Sequence, residues 1–514
     1  MSSHASGLRT ESRRPKRTFR RFDLRSFHPW GLNPIQQLAL ATILIVTGLI
    51  YLRCLYNGFV SDDYLEIVAN RHLGQWSTMW QALFYSAGHF LLGQTCYYRP
   101  LKSMWSVLNF HLFKLNSVGW HTLKLLLHLW VTLLTFRVAQ LLTNDITAAL
   151  ASAAAFALLP VHTEIVAFVS AIPEPLAAIF ELSALCCFIE RRSGSWSDYL
   201  LPTILFAAAL LSFEGAIVFP LLITLYVFLF EVAPQRLALA EMREALAVAL
   251  RRSAPFFIVL LAYLAIRAAV LGRAEFSGHP VPDPHAVVSP LEAVAMTPSA
   301  ILVYVTSTVL PWVSGPFHRL QWVGGFGSIR FGSSVLLLAL GTFLIALAIV
   351  RSSRRALYAF CSVWFVITLL PALNLFATLS RAHLPIIVQD RYLYLPSVGF
   401  CVVAGDLTVR FWRSRQSARW VVASTLVAVA ITYATFAWRA EGFWHDDEAM
   451  LLRAVEVVPD SPLYHRKLAL LFEHEGKLSE AYREQRKAVE LEPDNRFNRD
   501  YLEYLTSRLT PEDR

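Results

Sequence analysis

Long apolar runs separated by short polar blocks fill the chain from residue 36 to residue 440. A helix needs about 20 apolar residues to cross the hydrocarbon of a bilayer. On that measure the pattern predicts eleven spans, near 36–55, 119–142, 145–160, 173–190, 199–213, 216–231, 254–271, 332–350, 357–376, 393–408 and 420–438. Their alternation places the N-terminus inside and the C-terminus outside. The loops assigned inside (1–35, 190–198, 232–253, 351–356 and 409–419) hold 21 Lys and Arg, against nine in the longer loops assigned outside, 56–118, 161–172, 272–331 and 377–392. Positive charge collects on the cytoplasmic side of membrane helices, so the bias supports this orientation. The apolar stretch 299–313 would invert the sides if it crossed, exposing Arg351, Arg354 and Arg355, and is read as interfacial or re-entrant.

Three segments depart from the spanning pattern. Residues 234–252 place Arg236, Arg243, Arg251 and Arg252 among Leu and Ala at helical spacing, which suits a helix lying on an anionic leaflet. The first outer loop, 56–118, is rich in aromatics, with Trp76, Trp80, Phe84, Tyr85, Phe90, Tyr97, Tyr98 and Trp105. Aromatic rings favour the membrane interface, so two or three flat helices roofing a cavity are expected. Residues 460–495 fit one tetratricopeptide unit through Leu468, Ala469, Phe472, Gly476, Ala481, Ala488 and Pro493. Ala454 and Pro459 precede Ala488 and Pro493 by 34 residues, the period of that repeat. The chain thus divides into a basic cytoplasmic arm (1–35), a transmembrane domain (36–440) and an extracytoplasmic repeat domain (441–514).

Composition agrees. The chain is 55% hydrophobic and 16% charged, against about 25% charged in soluble domains, and its mean hydropathy is +0.46. A net charge of +9 could suit nucleic acid, but the arginines sit in short blocks between apolar runs, as topology determinants do. The six cysteines show neither zinc spacing nor a disulfide framework. Arg9 to Arg25 supply a basic arm before a long apolar run, which reads as a retained signal anchor.

The candidate chemistry lies in the outer turns. Asp62 and Asp63 follow the first span, and acids at a membrane boundary start as functional candidates. Asp63 with Glu66 also fits a capping box, and Ser61 could cap as well. Tyr97-Tyr98-Arg99-Pro100-Leu101 offers a guanidinium for a phosphate, or for interfacial snorkelling. Pro160-Val161-His162-Thr163-Glu164 could share a proton, bind a cation, hold a phosphate or simply start a helix. Glu214 is costly between two spans unless paired, with Arg99 and Arg391 as partners. Arg391, in Asp390-Arg391-Tyr392-Leu393-Tyr394-Leu395-Pro396-Ser397, offers a second guanidinium, or an ordinary Asp–Arg anchor. There is no Gly-rich phosphate loop and no Walker lysine, which argues against a nucleotide-sugar enzyme of the soluble type.

These pieces together resemble the GT-C glycosyltransferase superfamily, and within it the transmembrane O-mannosyltransferases with C-terminal tetratricopeptide repeats and their bacterial relatives. The resemblance runs in order through Ser61-Asp62-Asp63, Tyr98-Arg99-Pro100-Leu101, the His121 to His128 stretch, the His162 and Glu164 turn, Glu214, Arg391 to Phe400, Trp444 and the repeat. It implies an all-α GT-C fold and a polyprenyl-phosphate sugar as donor, mannose or another hexose. It further implies inverting transfer to a hydroxyl outside the cytoplasm, with a first-loop acid as base, and a repeat domain that presents a protein or glycan acceptor. Asp62 and Asp63 would be catalytic. Arg99, His162, Glu164, Glu214, Arg391 and Tyr394 would bind donor phosphate or substrate. No metal or cofactor is assigned, and a divalent cation stays open. Membrane lipids and a protein docking at the repeats are the other expected partners; nucleic acid is not. Two departures remove positive charge: Ile172-Pro173-Glu174 stands where relatives often carry an arginine, and Phe213 where they often carry a lysine.

Those losses keep a second reading open, an inactive GT-C-derived scaffold docking partners through its repeats. A transporter is disfavoured because the halves show no internal repeat. The chain has no Asn-x-Ser/Thr sequon, which favours a bacterial inner membrane over the endoplasmic reticulum.

Overall fold

The structure, a computed structural model, describes residues 31–90, 97–191, 195–232, 239–275, 290–318, 325–373, 388–414 and 419–509, together with 320, 323 and 417. The basic arm up to residue 30, Cys96, Arg236 and residues 377–387 lie outside them. Among the described residues all regular structure is helical. The helices of ten residues or more are α1 (Pro34–Ile50), α2 (Pro100–Phe113), α3 (Ser117–Thr143), α4 (Ile146–Leu158), α5 (Pro173–Glu190), α6 (Ser197–Ser212), α7 (Leu239–Glu275), α8 (Pro290–Val309), α9 (Ile329–Arg351), α10 (Arg355–Leu369), α11 (Pro396–Ser414), α12 (Arg419–Glu441), α13 (Asp447–Val457), α14 (Pro462–His474), α15 (Leu478–Leu491) and α16 (Arg496–Arg508).

The protein is a polytopic membrane protein, with fewer spans than the eleven expected. Seven helices among the described residues are long and apolar enough to cross, and eight if α4 and the segment Pro160–Ala167, bent by 58°, count as one. Each expected span that falls short has a physical reason. α4 breaks at Leu159, where Pro160 removes an amide donor. α6 has 16 residues, under the length that hydrocarbon demands. α5 carries Glu174, Glu181 and Glu190, and α11 carries Asp406, Arg410 and Arg413, charges that need protein partners at membrane depth. The surface helix expected over 234–252 is instead continuous with the following span, as α7. The stretch 299–313 lies mostly in α8, whose apolar part, Val294–Val309, is shorter than a span.

Local sequence explains the boundaries. Asn33 and Gln36 close a capping box at the start of α1, with bonds of 2.9 and 3.0 Å. Asn144, in the left-handed region at φ +52°, ends α3. Asp145 caps α4 and also pairs with Arg413 of α11. α4 and α11 pack closely because Gly405 has no side chain; a Cβ there would meet Ser152 Oγ at 2.3 Å. Small residues allow this kind of approach between membrane helices.

α3 places His121, Lys124, His128, Thr132 and Thr135 along one buried stripe, at the three- and four-residue spacing of a helix face. Polar residues inside a span must face the bundle interior. α5 runs from Glu174, beside Arg391, to Glu190, beside Arg137. Its 1.5 Å rise per residue separates those two ends by about 24 Å.

Where it is described, the aromatic loop 56–118 folds into single turns followed by α2. The tail forms the repeat hairpin of α14 and α15, which buries Leu468, Ala469, Phe472, Ala481 and Ala488. α13 and α16 flank it, and Gly476, at φ +78°, makes the turn between the hairpin helices. The tail touches the first loop directly: Gly58 N–H donates to His445 O at 2.9 Å.

Candidate functional site

Asp62 and Asp63 diverge although adjacent. Asp63 is fully buried. Its Oδ1 accepts from the N–H and hydroxyl of Ser170, at 2.8 and 2.5 Å, and its Oδ2 accepts from Val60 N–H at 3.1 Å. Burial pushes its pKa up to about 7 against the lowering effect of those bonds. It is not a cap, because no helix amide bonds its side chain and Glu66 turns away to Lys102 at 2.7 Å. The capping-box expectation therefore fails. Asp62 is exposed. Crowding by surrounding protein, together with Glu66, raises its pKa, while Arg391, Lys467 and Lys102 act to lower it. Lys467 belongs to α14, so Asp62 faces both the bundle and the tail.

The backbone presenting this pair is constrained. Ser61 is a non-glycine residue at φ +51°, a conformation that costs about 1–3 kcal/mol unless neighbours enforce it. Its N–H donates to Asp447 Oδ1 at 2.8 Å, in the first turn of α13.

Both predicted arginines are already engaged. Arg99 grips Glu214 in a fork, Nε to Oε2 and Nη2 to Oε1, each 2.7 Å, and lies over the Tyr97 ring at 4.1 Å. The expected partnership of Glu214 is therefore realised with Arg99. Arg391 bonds Glu164 twice, from Nη1 at 2.6 Å and from its backbone N–H at 3.1 Å. Its Nε lies 3.4 Å from Glu174 Oε1, and Glu174 Oε2 is buried without a hydrogen-bond partner. Next to Arg391, Asp390 accepts from Gly315 N–H at 2.8 Å and pairs with His318 at 2.6 Å. Burial opposes charge on His318, yet Asp390 holds its pKa above the ordinary value.

His162 and Glu164 do not act together. Glu164 meets Arg391, whereas His162 is fully buried and pairs with Ser397 Oγ at 2.9 Å. His162 packs against Phe156, His128 and Tyr394. Tyr394 is buried too, and its hydroxyl pairs with His128 Nδ1 at 2.9 Å. These residues form an aromatic box behind the ion pairs. A cavity of about 40 Å³ lies between Glu174, Glu181, Phe213, Arg391, Tyr392 and Tyr394.

Sequence reasoning missed Lys124. It is buried in α3, and its ammonium donates to Ala171 O. It makes no ion pair within 4 Å among the described residues, unlike Arg99, Arg391 and Lys102. With Lys102, Ser106 and Ser170 it lines a narrow pocket beside Glu66. A lysine inside a span, on the face of two histidines, was the available signal. Among the described residues no three His, Cys, Asp or Glu side chains group as a metal site.

No family model matches the chain. Its sequence is similar to Protein O-mannosyl-transferase F38B6.6 of Caenorhabditis elegans, 22% identical over 462 residues covering 88% of this chain and 62% of the relative. It is also similar to Protein O-mannosyl-transferase TMTC3 of Mus musculus, 24% identical over 489 residues covering 88% and 51%. The Drosophila melanogaster Tmtc3 protein is 26% identical over 462 residues covering 77% and 49%. The chain thus spans about half to three fifths of these relatives. Among solved structures it is similar to an Archaeoglobus fulgidus oligosaccharyltransferase carrying a tethered acceptor peptide, with TM-score 0.45, 14% identity and coverage of 81% and 56%.

Proposed function

We propose that the chain is a GT-C-type membrane glycosyltransferase. It moves mannose or another hexose from a polyprenyl-phosphate donor to a hydroxyl, on a protein or a glycan, at the extracytoplasmic face. The observation that carries this reading is an exposed acid, Asp62, held on a constrained turn beside a cluster of buried ion pairs. The similarity to O-mannosyl-transferases over most of the chain supports mannose as the sugar.

Asp62 takes the proton of the acceptor hydroxyl, the role of a positioned general base. The acceptor oxygen bonds to the anomeric carbon as the bond from that carbon to the phosphate oxygen breaks, with inversion. Lipid phosphate leaves, and cations fixed in place stabilise its charge. Arg391 and Arg99 are two such cations, and Lys124 is a third. Asp63, with both oxygens spent on Ser170 and Val60, positions the turn and does not touch the acceptor. Glu174 and Tyr394 line the small cavity next to Arg391. The tail, bonded to the same turn, presents the acceptor. The test is transfer of labelled hexose from a polyprenyl-phosphate donor by purified protein. Transfer by Asp62→Asn at the wild-type rate would overturn the base assignment.

The second reading, an inactive scaffold, draws on the neutralised arginines. Each meets a carboxylate before any phosphate arrives. A photoreactive polyprenyl-phosphate sugar separates the two readings: an enzyme is labelled near Arg391, and a scaffold without a donor site is not.

A further inference from the structure

A second charged site lies at the end of the bundle opposite Asp62. α5 ends there at Glu190, α6 begins, the composite helix Glu214–Val232 terminates and α7 passes Arg252. Between them is a cavity of about 250 Å³ lined by Ile189, Arg191, Tyr199, Glu231 and Arg252. Two guanidinium groups share one carboxylate. Arg191 Nη2 lies 2.5 and 2.7 Å from the two oxygens of Glu231, and Arg252 Nη1 bonds Glu231 Oε2 as well. Arg191 is nine-tenths buried, donates from Nη1 to Phe188 O at 2.6 Å and stacks on the Phe188 ring at 3.7 Å.

Among the described residues that line the pocket, the charges do not balance: two cations face one anion. The Nε of each arginine and Nη2 of Arg252 have no acceptor among the described residues. Arg252 is 44% exposed on its side chain, so an incoming acceptor can reach its guanidinium group. The surroundings indicate where that acceptor comes from. The start of α6 exposes Trp196, Leu200, Leu201 and Ile204, each more than half exposed. An apolar helix face led by a tryptophan is what the headgroup boundary of a bilayer accommodates. The pocket is thus charged within and lies beside an exposed apolar helix face.

We propose that this pocket binds the phosphodiester headgroup of an anionic membrane lipid. A single surplus positive charge matches a phosphodiester monoanion. Guanidinium forks match its two free oxygens. The charge of Glu231 is already balanced by arginine, so among the described residues lining the pocket no spare anion is left to attract the ammonium of a zwitterionic headgroup. The site is independent of the chemistry at Asp62.

Native mass spectrometry of the full chain, released from mixed micelles, tests it. Equal amounts of phosphatidylglycerol and phosphatidylcholine would be offered, with glycerol phosphate in a separate arm. Wild type is expected to retain phosphatidylglycerol about tenfold over phosphatidylcholine. Arg252→Gln should bring the ratio near one, while Glu231→Gln, which removes the anion, should raise it. Arg439→Gln, an exposed arginine elsewhere, should leave it unchanged. Equal retention by wild type, or loss of preference in Arg439→Gln, would overturn the proposal. So would retention of glycerol phosphate without lipid preference, since the source would then be a free anion. Should Arg252→Gln fail to fold, the opposite shift in Glu231→Gln still decides.

Discussion

Ser61 N–H donates to Asp447 Oδ1 across 386 residues of sequence. That bond joins the strained turn before Asp62 to the first helix of the tail. Asp447→Ala is therefore expected to loosen the turn and to lower sugar transfer about tenfold, read by a transfer assay. Ser61→Gly, which accepts φ +51° without strain, should leave stability unchanged or raise it by up to about 1 kcal/mol, read by thermal unfolding in detergent.

Asp62 sets the pH dependence of the proposed reaction. Only its ionised form accepts a proton, and its pKa lies above the ordinary carboxylate value. Transfer should rise with pH through a midpoint above that of a free aspartate. Asp62→Asn should cost about 10²–10⁴ in rate at every pH. A wild-type midpoint at or below the free-aspartate value would contradict this assignment.

Asp63 should make the fold less stable as pH rises. Its native pKa, about 7, exceeds the unfolded value of 3.8. The native protein therefore holds the proton more tightly than the unfolded chain, and stability falls between about pH 4 and 7. Each unit of that difference is worth about 1.4 kcal/mol. Asp63→Asn should flatten melting temperature against pH in this window, with little change above it.

Breaking one partner of the Arg391–Glu164 pair should be severe. Glu164 is 2% exposed on its side chain and Arg391 18%, and an uncompensated buried charge costs about 3–5 kcal/mol. Glu164→Ala should lower the melting point sharply, and Glu164→Ala with Arg391→Met should recover part of the loss.

Lys124→Met separates function from packing. The substitution keeps length and removes a buried charge that has no ion-pair partner within 4 Å among the described residues. Stability should hold or increase, whereas transfer falls at least tenfold. Wild-type transfer by this variant would remove Lys124 from the proposed phosphate site.

Much of this was legible in the sequence. Apolar length located most of the helices, and the pattern from Leu468 to Pro493 located the hairpin. The overcount of spans came from treating apolar stretches as equivalent. Pro160 breaks one, α6 is short, and α5 and α11 carry charges whose partners come from distant segments. A lone acid between spans needs a cation, and of the two expected for Glu214, Arg99 and Arg391, it pairs with Arg99. The split between Asp62 and Asp63 was only partly visible. It depends on Ser170, 107 residues away, and no local pattern announces such a partner. His162 looked like a phosphate ligand beside Glu164, but the turn at Pro160 directs the two side chains to different neighbours.

The paired arginines have one more consequence. At rest the proposed site is a set of internal salts, Arg391 with Glu164 and Arg99 with Glu214. A lipid-linked phosphate entering it must displace a resident anion, so binding works as ion exchange. The exchange also runs backwards: once the sugar has left, the same glutamates are the nearest competitors for the guanidinium groups. On the proposed reading, such a site would hold its donor less tightly than bare arginines, and the same glutamates would help to displace spent lipid phosphate.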